Sequence, residues 1–317
     1  MSEAILKDLR HERLLVAAAA VLCGDVWQLP DGRAGVRQGL NAIAANESAA
    51  FATEGQFLVP KTASMAFLDG QRVYWDHSAN KAHNRALSDR DFFLGTIVGD
   101  AAAADTTCVV NLNVSGRPII DLHDGPFAHV PVLTAGTPIL HQVGGTARAA
   151  FSLTAEAQKL DLLSVRSFPF DAPWILEALA EVATNADADV ADLSIGVANG
   201  THASDADAIT ESAFFHFDLG ADLNIDAESD DGTTEVNATD TTVDFAVGTP
   251  VLLQIDGRDP ANLKYYINGV RVLSATTFDI SAATGPLKAL FHLEKSANDS
   301  PGVVLLHDLA VRLMEQP

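Results

Sequence analysis

Nine consecutive residues, Lys264-Tyr265-Tyr266-Ile267-Asn268-Gly269-Val270-Arg271-Val272, narrow the fold more than any other stretch of this 317-residue chain. Asn and Gly both tolerate positive φ, which a two-residue type I′ turn requires, and the flanks alternate as paired strands do. A hairpin there commits its neighbours to antiparallel sheet. Short apolar runs bounded by turn residues continue the pattern over 147–153, 160–168, 191–197, 213–218, 223–227, 251–255, 287–293 and 303–313. Residues 174–182 have helical propensity, but Ile175, Glu177, Leu179 and Glu181 alternate with Leu176, Ala178, Ala180 and Val182, so context favours a strand.

The first third reads the same way. In 70–113, Val73 and Trp75 alternate with Arg72, Tyr74 and Asp76, and Cys108, Val110 and Leu112 alternate with Val109, Asn111 and Asn113. Turn signals at Gly24, Asp31-Gly32, Asn46-Glu47, Gly55, Pro60, Gly70, Asn80 and Gly99 punctuate six or seven short runs, as in a small barrel or sandwich. The alanine runs 17–20 and 101–104 fall beside turns and read as short strand or loop, and as loop. Ser115-Gly116-Arg117-Pro118 breaks the last of these strands, and the charge changes there. Up to Val114 there are 13 Asp/Glu against 10 Lys/Arg; beyond it there are 29 against 10. Two domains follow, 1–114 and 115–317, with 119–145 as an extended connector or the first strands of the second. The expected class is all-β: a small N-terminal β-barrel and a β-sandwich.

An acidic surface of this size repels nucleic-acid phosphates, which excludes that partner. Residues 14–23 are apolar but too short to span a bilayer, and Leu22 stands where signal cleavage wants a small residue, so neither export nor membrane insertion is expected. Cys23 and Cys108, 85 positions apart, read as buried free thiols made in a reducing compartment.

The ordered blocks Gly24-Asp25-Val26, Gly35-Val36, Glu54-Gly55-Gln56-Phe57-Leu58-Val59-Pro60-Lys61, Gly70-Gln71-Arg72-Val73-Tyr74-Trp75-Asp76 and Leu94-Gly95-Thr96-Ile97-Val98-Gly99 resemble a family of small tailed-phage proteins similar to capsid decoration, or cement, proteins. That resemblance covers about the first third and implies a trimeric β-barrel on the outside of a phage head. The hairpin at Asn268-Gly269, with 287–295 and the final strand, resembles the concanavalin-like jelly-rolls of lectins and laminin-G modules over roughly 147–317. Such sandwiches host sugar binding, glycan hydrolysis and plain scaffolding.

Chemistry finds little support. A glycosidase needs two carboxylates across a cleft, yet the Glu-x-Asp-x-Glu strand pattern is absent, and Glu177 and Glu181 read as solvated surface. Asp226 to Gly232 fails as an EF-hand, because Asp231 and Asn237 occupy the sixth and twelfth positions. Asp187, Asp189 and Asp192, and Asp205 with Asp207, read as acidic loops. The ten histidines lack His-x-x-x-His spacing, and His216 and His292 sit inside apolar strands as satisfied histidines. Gly144-Gly145 does not extend to a phosphate loop, and Trp27, Trp75 and Trp174 read as packing residues. No catalytic, cofactor-binding or metal residue is therefore expected, and no cofactor.

The expectation is a non-enzymatic virion protein, synthesised in the host cytoplasm. It binds the major capsid protein on the outer surface of the assembled head as a homotrimer, through residues 1–13 and loops of the first domain, and stabilises the shell while displaying an outward jelly-roll. The alternative is a lectin-like adhesin with a surface polysaccharide as partner; a glycan-cleaving enzyme ranks last.

Overall fold

The structure is a computed structural model that describes residues 12–17, 19–39, 41–116, 118–123, 127–130, 138–143, 146–150, 156–185, 192–203, 205–219, 223–295 and 302–314. Every regular element among them is a β-strand, and all strand ladders are antiparallel. The chain divides into two compact units, 1–117 and 118–317.

Among its described residues the first unit has nine strands: β1 (Glu12–Val16), β2 (Val26–Gln28), β3 (Ala34–Arg37), β4 (Ser48–Ala52), β5 (Gln56–Pro60), β6 (Arg72–Asp76), β7 (Lys81–His83), β8 (Phe92–Ile97) and β9 (Thr107–Leu112). They form a four-stranded sheet in the order β1-β4-β3-β2 and a five-stranded sheet in the order β5-β9-β8-β6-β7. Alternation decides which side chains go inside. Val73, Trp75, Cys108, Val110 and Leu112 are buried and join Ala34 and Val36 in one core. Asn113, at φ +58°, ties the sheets together: its Oδ1 accepts the Ala34 N–H at 2.8 Å, and its Nδ2 donates to the carbonyls of Ala34 and Thr53, each at 2.8 Å. Neither sheet closes into the expected barrel. The edges of the larger one meet only at an isolated parallel bridge, Lys61 to Ala82, immediately after Pro60, which has no N–H to extend a ladder.

The second unit carries β10 (Ile120–Asp121), β11 (Phe127–Val130), β12 (Ile139–Val143), β13 (Thr146–Ala150), β14 (Gln158–Ser164), β15 (Phe168–Pro169), β16 (Trp174–Thr184), β17 (Asp192–Ala198), β18 (Ser212–Asp218), β19 (Asn224–Asp230), β20 (Glu235–Asp244), β21 (Val251–Gly257), β22 (Lys264–Ile267), β23 (Val270–Val272), β24 (Pro286–Lys295) and β25 (Val303–Leu313). One eight-stranded sheet runs β12-β13-β25-β16-β21-β22-β23 with β10 on β25; the other runs β11-β14-β24-β17-β18-β19-β20 with β15 on β24. The chain passes repeatedly between the sheets, and their inner faces share one apolar core, the arrangement of a jelly-roll sandwich. Tyr265 crosses that core from β22, and its hydroxyl donates to the Glu228 carbonyl on β19 at 2.6 Å. Asn268 and Gly269 both have positive φ at the β22–β23 turn, as a type I′ turn requires and these two residues tolerate.

Residues 174–182 form part of the eleven-residue strand β16, paired on both sides. The connector supplies β10, β11 and β12. The alanine runs 17–20 and 101–104 contain no helix among their described residues. β20 has no counterpart in the apolar runs because its sequence, EVNATDTTVD, is that of a solvated edge strand.

Candidate functional site

Each unit holds one feature that packing alone leaves unexplained. In the first, a cleft of about 940 Å³ is lined from both sheets, with Trp27, Phe57, Trp75 and Phe92 on its walls and His77 and Arg90 at hydrogen-bonding distance from each other. Trp75 is 4% exposed, and its indole N–H has no hydrogen-bond acceptor. Outside the cleft, Leu14 and Val16 are 65% and 67% exposed on the edge strand β1; Leu58, on the edge strand β5 and among the residues lining the cleft, is 70% exposed. Apolar side chains on open strand edges are adhesive.

In the second unit, the unusual feature is a charged layer under cover. Register places Asp161, His292, Ser194 and His216 side by side across β14, β24, β17 and β18, with Lys159, Glu294 and Asp192 forming the next row. The side-chain period of two points all of them away from the sandwich core. Glu228 on β19 lies on the same face, two residues along from the position opposite His216. The described residues of the segment 199–211, which are 199–203 and 205–211 between β17 and β18, fold back over this face. Its Ala206 and Ile209 pack on Leu163, Ala198, Phe214 and Leu290, and Asp205 and Asp207 flank Ala206, next to the two histidines. The result is that Asp161, Ser194, His216, Glu228 and His292 are all buried.

The layer divides into two imidazole centres. His292 Nδ1 lies 2.6 Å from Asp161 Oδ1, and its Nε2 lies 3.3 Å from Glu294 Oε2. Glu294 also pairs with Lys159. Burial opposes the charged form of His292, but Asp161 and Glu294 outweigh it and raise the imidazole to about 9. His216 Nε2 lies 3.2 Å from Asp192 Oδ1, and its Nδ1 lies 3.3 Å from Ser194 Oγ and 3.6 Å from Asp207 Oδ1. Burial again opposes the charge, while Asp192, Asp207 and Glu228 raise this imidazole to about 9. Burial and the neighbouring acids push the Glu228 carboxyl up to about 8, and burial raises Asp207. One Glu228 oxygen, Oε1, is buried without a hydrogen-bond donor.

Several expectations change here. His216 and His292 are not merely satisfied core histidines: they join acids from β14, β17, β19, β24 and the 199–211 segment. Asp205 and Asp207 belong to that assembly rather than to a solvated loop, although Asp207 keeps a side-chain exposure of 48%. Asp226 to Asp230 is strand rather than an acidic solvated loop, and Asp231 holds the following turn by accepting the Thr233 and Thr234 N–H groups at 2.8 and 2.6 Å. Glu177 is 5% exposed, not solvated, because Gln254 and Arg312 on the flanking strands reach its Oε2 at 3.2 and 3.4 Å. Glu181 meets His307 at 3.0 Å. Cys23 is exposed while Cys108 is buried, and burial pushes the Cys108 thiol up to about 12. Trp174 and Trp75 are buried; Trp27 packs its ring 5.6 Å from that of Phe51. Residues 1–11, Gly144-Gly145, Asp187 and Asp189 lie outside the described residues. The charged layer has a sequence signal after all, in polar residues at every second position of otherwise apolar strands: Lys159 and Asp161, Asp192 and Ser194, His292 and Glu294.

Residues 10–112 match a family described as phage cement protein. No curated protein sequence matches the chain. Among solved structures, the chain is similar to the carbohydrate recognition domain of Emp47p, at 11% identity and a TM-score of 0.43, over 60% of this chain and 97% of that one. It is similar to a Bacillus licheniformis beta-glucanase at 12% identity and a TM-score of 0.43, over 60% and 100% of the two chains. The carbohydrate binding module CBM66 from Bacillus subtilis matches at 9% identity and a TM-score of 0.38, over 59% and 99%.

Proposed function

We propose that the protein is a capsid decoration protein: residues 1–114 bind the outside of an assembled phage head, and residues 115–317 are an acidic sandwich carried with them. The observation that carries this reading is the match of residues 10–112 to the phage cement family. The exposed Leu14, Val16 and Leu58 on strand edges of that unit support an adhesive role. The mechanism needs no catalysis. A protein that binds the assembled shell and not its free subunits stabilises the shell by mass action. A homotrimer would hold several capsid subunits at once and multiply weak contacts.

Mixing the purified full chain with undecorated heads and imaging them tests the reading. Added density on the outer surface and a higher shell-melting temperature are the expected results. Bare heads after incubation at saturating protein would reject it. Light scattering at micromolar concentration tests the trimer separately, since a monomer mass would remove that element and leave attachment standing.

A further inference from the structure

Three groups of His and acidic side chains among the described residues bring one ligand atom from each member within 4.8 Å of the others: Asp121, His123 and Asp308; Asp205, His292 and Glu294; and Asp207, His216 and Glu228. They differ in what already neutralises them. In the first, His123 is open to solvent, which screens its contact with Asp308, and the buried Asp121 already accepts the His123 backbone N–H at 2.8 Å. In the second, Lys159 supplies a fixed cation to Glu294, and both His292 nitrogens already face carboxylates. In the third, both His216 nitrogens likewise face carboxylates and Asp207 is half-exposed, but no lysine shares its acids as Lys159 shares Glu294. The Glu228 side chain, only 7% exposed, holds an oxygen, Oε1, with no donor among the described residues. That buried oxygen, beside Asp207 and His216, is an acceptor of the kind a cation takes up.

We infer that Asp207, His216 and Glu228 form a site for one divalent first-row transition cation, with zinc or manganese the natural occupant. One imidazole nitrogen and two carboxylates suit such ions better than calcium, which prefers all-oxygen shells. The imidazole is arranged as a ligand should be. Asp192 takes the Nε2–H at 3.2 Å and leaves Nδ1 facing Asp207, an outer carboxylate fixing the tautomer of an inner histidine. Binding requires Nδ1 and the Glu228 carboxyl to be free of protons, so any proton on either leaves to solvent as the ion supplies the counter-charge. Because Asp207 belongs to the 199–211 segment while His216 and Glu228 belong to the sheet, the ion also fastens that segment over the charged layer. The site is independent of capsid attachment and stands or falls without it.

The test uses the full chain after chelator treatment, titrated with zinc, manganese and calcium chloride, with calorimetry and bound-metal analysis as readouts. One equivalent of zinc or manganese is expected to bind and to raise the melting temperature. Asp207→Asn, at a half-exposed position where folding is not at risk, weakens binding at least tenfold, and Glu228→Gln does the same. Asp308→Asn, in the solvent-screened group, leaves it unchanged. Circular dichroism verifies the fold of each variant. Absence of one-to-one uptake, uptake of calcium alone, affinity indifferent to Asp207→Asn, or loss caused by Asp308→Asn would each overturn the assignment.

Discussion

Gly257 stands directly opposite Trp174 in the β16–β21 ladder, and a Cβ there would lie 2.1 Å from Cε2 of the indole. The ring cannot retreat, because Phe168 packs against it with centroids 5.6 Å apart. Overpacking a rigid core costs about 1–3 kcal/mol or more. Gly257→Ala is therefore expected to lower the guanidinium midpoint of the sandwich, and a second change, Trp174→Leu, to recover part of the loss relative to Trp174→Leu alone. Denaturation curves of the four proteins measure the coupling.

Glu177 and Arg312 are a buried pair on the outer face of their sheet. Removing one member of such a pair costs about 3–5 kcal/mol, whereas replacing both with apolar residues is close to neutral. Glu177→Leu should destabilise strongly, and Glu177→Leu with Arg312→Leu should be more stable than either single change. A double variant whose loss equals the sum of the two single losses would show that the pair is uncoupled.

Acid should weaken the sandwich through Glu211. Burial pushes this carboxyl up, but the Thr284 and Gly285 N–H groups, the Thr284 hydroxyl and the Asn199 amide together hold it below its ordinary value. A depressed folded pKa stabilises fully above the unfolded value of about 4.3 and loses that contribution as pH falls through the folded one. Glu211→Gln should reduce stability at neutral pH and flatten the acid limb. Chemical denaturation from pH 6 down to about pH 3, spanning this window, checks both.

In the first unit, Asn113 combines a left-handed backbone with three hydrogen bonds between sheets. Ala loses the bonds and strains the backbone, at about 2–4 kcal/mol in all; Gly loses only the bonds. The expected order of thermal stability is wild type, then Asn113→Gly, then Asn113→Ala. Equal losses for Gly and Ala would mean that φ carries no cost there.

Strand positions were legible because period-two burial writes itself into sequence, and Asn268-Gly269 marked its turn without ambiguity. β20 was not, since an edge strand with one solvated face needs little apolar content. The charged layer escaped for a different reason. Asp205, Asp207, His216 and Glu228 are scattered along the chain, and only register, together with the segment folded over the sheet, brings them together. Glu177 misled in the same way: nothing local reveals that Arg312 lies one strand away.

β20 ends its sheet with Glu235, Asp240 and Asp244 exposed, and its pairing with β19 slips register twice. Charge and irregularity on an open edge discourage another sheet from docking there. Copies of the sandwich that approach along this edge meet carboxylate to carboxylate and repel one another, so the strand that contributes little to the core keeps neighbouring molecules apart in solution.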